Sequence, residues 1–305
     1  MSHLPGIKKI RVVRAGFCSA LIVTMIPIVG CGRKQEHAAV GTSGTETQKT
    51  FASPSEAGKA FLEAARSGDE TALLAIFGPD GKDVLFSGDP AKDQNALRTF
   101  VSAYETMNRW GKVNGGAQML YVGSENFPFP VPLLQDSSGR WYFDSAGGAD
   151  EILARRIGRN ELVAMAATAA LANAEQQYFS ETHPGGDAKQ YAQQFASDEG
   201  KQNGLHWPGD FAKGEGSGYH FRILTKQGDT VKGGAKDYIV NGKMTRGFAI
   251  LAYPAEYQKF GIMSFLVGTD GTVYEKDLGP QTADTAAALT EYNPGDGWKP
   301  VNQQP

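Results

Sequence analysis

The densest cluster of residues able to do chemistry is Arg155-Arg156-Ile157-Gly158-Arg159-Asn160-Glu161. On a helix, Arg155 and Arg159 stand four apart and share a face. With Arg156 they offer enough guanidinium donors to hold a carboxylate or a sugar acid in bidentate contacts. The same side chains also suit a plainer task, pairing with Asp144, Asp150 or Glu151 and bracing two parts of the fold. Three histidines lie in the body, His183, His206 and His220, at spacings that match no metal rule. His183 precedes a turn proline and His220 should alternate along a strand. His206 stands beside Trp207 and Pro208 in a long loop, and long loops often carry function. Arg155, Arg156, Arg159, Glu161, His206 and Trp207 are therefore the candidate contacts for a ligand or partner. Trp110, Trp141, Trp207 and Trp298 either line a groove or pack the core, and aromatics in an α+β interior usually do the latter.

Several familiar chemistries fail their context tests. Gly214, Gly216 and Gly218 alternate, but they precede a strand and open no helix, so a dinucleotide loop is not formed. Ser217 among them lacks the spacing of a nucleophile elbow. No His-Glu-x-x-His pair stands on any helix, and Asp270-Gly271 lacks the ligand ladder of a calcium loop. No catalytic, cofactor or metal residue is assigned from the sequence.

The two cysteines, Cys18 and Cys31, both fall near the start of the chain. A basic segment bearing Lys8, Lys9, Arg11 and Arg14 leads into an apolar run, Ala15 to Val29, of 15 residues. That is short of the about 20 residues a bilayer-spanning helix needs and has the length of a signal-peptide core. It ends in Ile28-Val29-Gly30-Cys31, which resembles the lipobox of bacterial lipoprotein signals. The resemblance implies cleavage before Cys31 and attachment of a diacylglycerol to its thiol. A further acyl chain on the new amino terminus would give stable anchoring in a membrane. An uncleaved anchor and plain secretory cleavage are the competing readings. Gly32 stands where an aspartate would retain such a protein in the inner membrane, which directs it to the outer membrane if the cell has two.

Removal of residues 1–30 takes away four basic residues and no acid, so the formal net charge falls from −3 to −7. An acidic body is a poor partner for nucleic acid. With Cys18 removed and Cys31 modified, the body keeps no thiol and depends on its core alone. Gly32 to Thr50 lacks apolar periodicity and reads as a flexible tether, with His37 solvated in it. Its 19 residues reach at most ~60 Å and span roughly 25 Å on average.

The elements that must position the candidates follow from capping and periodicity. Ser53-Pro54-Ser55-Glu56 is a capping box with proline at the first helical position. The helix it opens carries Ala57, Ala60, Phe61, Ala64 and Ala65 and ends at Gly68. Asp69 caps a second helix closed by Gly78, and Asp89-Pro90 opens a third. Strands are expected at Gln118–Val122, Val131–Leu134 and Trp141–Phe143, the last two joined through Ser137-Ser138-Gly139. Ala149 to Phe179 is the longest helical stretch, expected to break or kink at Gly158. Its Leu162, Val163, Ala166, Ala169 and Ala170 form a stripe inviting close packing. Pro184-Gly185-Gly186 stops it, and Tyr191 and Phe195 suggest a further short helix. Gly218 to Thr225 then begins an antiparallel meander. Asn241-Gly242 and Asp270-Gly271 mark its turns, with strands at Phe248–Tyr253, Ile262–Val267 and Thr272–Lys276. Thr282–Leu289 forms a last helix before a Pro/Gly-rich tail. The fold class is α+β, two lobes with antiparallel β-meanders joined by a long, Gly-interrupted helix. The expected division is a signal peptide at 1–30, a lipidated tether at 31–50, an N-terminal lobe at 51–148, and the long helix with a C-terminal lobe at 149–305.

Long segments of the body carry a resemblance. SPSEA at 53–57, GPDGKDVLFSGDP at 78–90, FPFPVPL at 127–133, GRWYFDSAGGADEILARRIGRNE at 139–161, MTRGFAILAYPAEY at 244–257 and GTVYEKDLGP at 271–280 resemble an uncharacterised bacterial family, domain of unknown function 2950. That resemblance implies an exported envelope protein and supplies no catalytic residues. More weakly, the second lobe is similar to a type IV pilin or pseudopilin headgroup, but the prepilin cleavage site and polymerisation helix are missing. The preferred expectation is a non-catalytic, membrane-tethered envelope protein that binds a protein or polymer partner or organises the surface, with no cofactor. One alternative is an envelope-polymer hydrolase, which requires Asp144 or Glu161 to converge with His206. The other is a small-ligand carrier, which requires an enclosed apolar pocket in the first lobe.

Overall fold

Ser53 opens the first helix as its N-cap, with the Glu56 carboxylate reaching back one residue further than a capping box requires. The Ser53 side chain accepts from the Glu56 amide, and the Glu56 carboxylate accepts from Ala52 N at 2.9 Å. The computed structural model describes residues 48–181, 189–195, 204–205, 218–295 and 297–301. Cys31, His183, His206, Trp207 and the Pro184-Gly185-Gly186 stop lie outside the described residues.

Helix α1 (Pro54–Ser67) ends at Gly68, whose φ of 66° suits glycine. Helix α2 (Glu70–Phe77) is capped by Asp69, and α4 (Pro90–Thr106) by Asp89, which accepts from the amides of Ala91 and Lys92. Between them lies α3 (Gly81–Leu85), a single short turn that periodicity does not reveal. The chain then forms β1 (Asn108–Lys112), β2 (Gln118–Val122), β3 (Phe127–Pro128), β4 (Leu133–Gln135) and β5 (Trp141–Phe143). All pair antiparallel in the order β1-β2-β4-β5, with β3 also on β2. Phe61 of α1 is the centre of the core beside this sheet. Its ring lies 4.0 Å from Phe100, 4.9 Å from Phe77 and 5.1 Å from Phe129, centroid to centroid. Each such pair adds about 0.5–1.5 kcal/mol beyond area burial.

Helix α5 (Ser145–Ser180) runs for 36 residues. It starts four residues before the expected Ala149, because the Asp144 carboxylate accepts from Gly147 N and caps it there. Gly158 does not break it, which corrects the expected interruption. An interior glycine costs at most about 1 kcal/mol, and packing on both sides of position 158 outweighs that. The phase of the packed face also differs. Leu162 and Val163 are 44% and 43% exposed, whereas Ala164, Ala167, Thr168, Leu171 and Ala172 are buried. In so Ala-rich a helix two faces carry small residues, and periodicity does not choose between them.

Residues 189–195 are extended, with no helix at Tyr191 and Phe195. The Tyr191 amide is taken by the Met244 carbonyl at 2.8 Å, and a strand-like bridge stands where the short helix was expected. The second sheet has the order β14-β13-β12-β11-β6, all antiparallel. Its strands are β6 (Tyr219–Leu224), β11 (Ala249–Pro254), β12 (Met263–Gly268), β13 (Val273–Asp277) and β14 (Lys299–Pro300). Two small ribbons stand beside it: β7 (Lys226–Gln227) with β8 (Lys236–Asp237), and β9 (Ile239–Val240) with β10 (Lys243–Met244). Asn241 and Gly242, at φ 50° and 76°, make the two-residue turn between β9 and β10. Ala249, Ile250, Leu251 and Ala252 are all fully buried, so both faces of β11 are covered. Helices α5 and α6 (Thr282–Ala288) both pack on β11.

Candidate functional site

The structure spreads the arginine cluster along α5 and commits much of it to bracing. Arg155 Nε donates to Glu151 at 2.7 Å and Nη1 to the Pro128 carbonyl at 2.7 Å, while its guanidinium lies 5.3 Å from the Phe127 ring centre. Five residues on, Asn160 Nδ2 donates to the Phe260 carbonyl at 2.9 Å. Glu161 Oε1 accepts from the amides of Ile262 and Met263 at 2.8 and 3.0 Å. Within seven residues, α5 is therefore tied first to the edge of one sheet and then to the loop that enters β12. Arg156 and Arg159 are exposed and make no ion pair among the described residues.

The remaining candidates do not converge. Asp144 caps α5 and Glu161 lies 17 residues along it, about 25 Å away at 1.5 Å per residue. No single cleft holds both carboxylates. The His220 ring packs against Tyr253 at 5.4 Å. Trp110 and Trp141 pack on the core of the first sheet, whereas Trp298 is buried in the second. Where the carrier reading needs an apolar pocket, the rings of Phe61, Phe77, Phe100, Phe129 and Phe143 pack against one another, some stacked and some edge-on or tilted. Among the described residues, no three His, Cys, Asp or Glu side chains are grouped to hold a metal, and no helix is long and apolar enough to cross a membrane.

A site that the sequence reading missed lies near the other end of α5. Glu175 is completely buried. Its Oε2 accepts from the Ala192 amide at 2.9 Å, and its Oε1 has no partner among the described residues. Loss of solvation pushes its carboxyl up to about 8, and the Ala192 hydrogen bond only partly opposes this. At neutral pH the group is therefore mostly protonated. Tyr178 and Tyr191 are held above the usual phenol range by burial first and by the charge of Glu175 second.

Beside this carboxyl, an open cleft of about 210 Å³ is lined by Tyr178, Gln190, Tyr191, Gln193 and Gln194. Tyr178 comes from α5, one turn beyond Glu175, and the others from the 189–195 segment that Glu175 clamps. The segment is fixed by the Tyr191–Met244 bridge, by Gln193 Nε2 donating to the Gly242 carbonyl at 3.0 Å, and by Leu205 N donating to Gln194 O. Tyr191 also stacks on Phe179 at 4.4 Å. A signal for Glu175 exists in the sequence: it is the one charged residue between Leu162 and Ser180. It falls seven after Thr168 and four after Leu171, both buried, so the true phase of the helix would have placed it inside.

Fold and site together describe an α+β protein whose long helix braces two sheets and buries a carboxyl near its end. The chain belongs to the family described as Protein of unknown function (DUF2950), whose model matches residues 48–217 and 210–301. No curated protein and no solved structure matches it, so the pilin-headgroup likeness gains no support.

Proposed function

We propose that this protein is an exported lipoprotein, cut before Cys31, acylated on that cysteine, and carrying a body that binds a partner in the cell envelope without catalysing a reaction. The observation that carries this reading is the 15-residue apolar run closed by Ile28-Val29-Gly30-Cys31, set just ahead of a separately folded body. Two features support it. The family match begins at residue 48. Gln48, the first residue of that match, is held in the body, its side chain donating to the Ile76 and Phe143 carbonyls. The intervening residues are enough to hold the body clear of a bilayer surface. The non-catalytic half of the reading is supported by where the ionisable groups act: Arg155, Glu161 and Asp144 bind backbone and neighbouring side chains in structural roles.

The test is mass spectrometry of the protein from its native membrane, beside Cys31→Ser. An acylated cysteine at the mature N-terminus is expected, with the variant losing acylation and moving from the membrane to the soluble fraction. An intact, unmodified N-terminus would sink the proposal.

A further inference from the structure

Three large hydrophobic side chains are exposed among the described residues, Phe127, Leu162 and Val163. All three stand along one side of α5. At about 100° per residue, Arg155, Arg159, Leu162 and Val163 fall within roughly 100° of one another, on the side turned away from the buried Ala164 and Leu171. Phe127 joins this row because the Arg155 guanidinium lies over its ring. We propose that the row is a membrane-contact face, which lies on the anionic bilayer surface that holds the Cys31 acyl chains and so sets the orientation of the tethered body. The place of the bilayer rests on the lipoprotein reading, while the choice of face rests on these residues.

A single exposed leucine needs no explanation, but exposed hydrophobics gathered on one side and rimmed by polar groups mark a contact surface. The rim here is basic. Arg156 and Arg159 are exposed beside Leu162 and Val163. The nearby acids are already engaged, Glu151 with Arg155 and Glu161 with the Ile262 and Met263 amides. Aromatic and branched aliphatic side chains interleaved with arginines suit a headgroup boundary. The apolar parts enter the acyl edge while the guanidiniums stay among the phosphates. The rest of the body is acidic and is repelled by the same surface, so a local basic face selects which side approaches. The anchor is also on the right side of the fold. Gln48, where the chain enters the body, donates to the Phe143 carbonyl, and α5 begins two residues later at Ser145. Arg155 to Val163 lie about 15–27 Å along the helix from that point. The chain from Cys31 to Gln48 spans roughly 25 Å on average and ~60 Å at most. A tether of that length can raise the body, and it can equally let the body lie with this side of α5 down.

Nitroxide labels on the acylated protein test this, since that chain offers no other thiol once Cys31 is modified. One label is placed at Leu162→Cys and a control at Ala283→Cys on α6, both exposed positions. The control lies on the far side of the second sheet. Tyr219 of β6 is in the field of Glu161 on α5, whereas Arg222 of the same strand donates to the Ala286 carbonyl of α6, and residues 219 and 222 point to opposite faces. The protein is reconstituted into vesicles of equal parts phosphatidylcholine and phosphatidylglycerol. The ratio of oxygen to nickel-chelate collisions should be at least about fivefold higher at 162 than at 283. Reversing both arginines, Arg156→Glu with Arg159→Glu, or using phosphatidylcholine alone, should cut that difference by about half or more. Equal ratios at the two positions, or no response to charge reversal, would overturn the proposal. A label at 162 shielded from both reagents would also overturn it, by showing that a protein or a second copy covers the face. Mass spectrometry of the same sample separates the two readings. An unacylated chain would overturn both, whereas an acylated chain with a water-exposed label at 162 would overturn this one alone.

Discussion

The Glu175 carboxyl ionises near 8 in the folded protein, against an ordinary value of 4.5. Between those values the native state keeps a proton that the unfolded chain has released. Stability therefore falls as pH rises through the interval. The contribution of the protonated group is complete below about 4.5 and is lost once the pH passes about 8. At about 1.4 kcal/mol per pH unit, the integrated loss is on the order of 5 kcal/mol, a large part of a typical domain's stability. Glu175→Gln keeps the shape and the acceptor for Ala192 but cannot ionise. Urea unfolding at pH 5, 6, 7, 8 and 9 should show the wild type losing stability relative to the variant at each step up to pH 8, with the difference levelling off above it. Parallel profiles for the two proteins would mean that the carboxylate is charged inside the fold.

At the scale of the elements, the glycines of α5 make opposite predictions. A Cβ at Gly158 would meet nothing within 4 Å, and the residue lies inside a continuous helix. Gly158→Ala should therefore stabilise the protein by about 0.5–1 kcal/mol, seen as a raised urea midpoint. A Cβ at Gly148 would lie 2.6 Å from Cγ2 of Val131, a fully buried residue with little room to move. Gly148→Ala should cost about 1–3 kcal/mol in the same assay, and an unchanged midpoint would contradict the close packing of α5 on the residues that lead into β4.

The same elements show what the sequence made legible. Ser53, Asp69 and Asp89 announced three helices because caps are local chemistry, and Asn241-Gly242 announced its hairpin for the same reason. Strand β1 escaped because Asn108-Arg109-Trp110-Gly111-Lys112 holds one large apolar residue on a charged edge, where sheets favour such residues. The 189–195 segment and the phase of α5 escaped because both are decided by distant partners, Met244 and the second sheet. Among the candidate residues, Arg155 and Glu161 were legible as a charged cluster, although their use as braces was only one of two readings. Glu175 was not, since a lone carboxylate in an Ala-rich run looks solvated until the buried face is known.

Across the whole molecule, α5 is the element that contributes to the core of the second sheet and also packs and hydrogen-bonds against the first. Near its start, Ser145 Oγ donates to the Phe77 carbonyl at 2.6 Å and Gly148 abuts Val131. From Ala164 onward its buried face belongs to the core of the second sheet. The bracing contacts of Arg155, Asn160 and Glu161 stand on both sides of Gly158, the one glycine beyond the first turn of the helix. Loss of the second core should therefore withdraw support from the first. Leu171→Ala removes a fully buried side chain from the second core and should cost about 2–5 kcal/mol. If the helix transmits that loss, native-state hydrogen exchange will show reduced protection at Leu251 and Leu266 in the second sheet and a comparable reduction at Leu120 and Val122 in the first. Protection lost in the second sheet alone would mean that α5 separates at Gly158 and that the two sheets unfold independently. Gly158→Ala, by strengthening that point, should then restore part of the coupling.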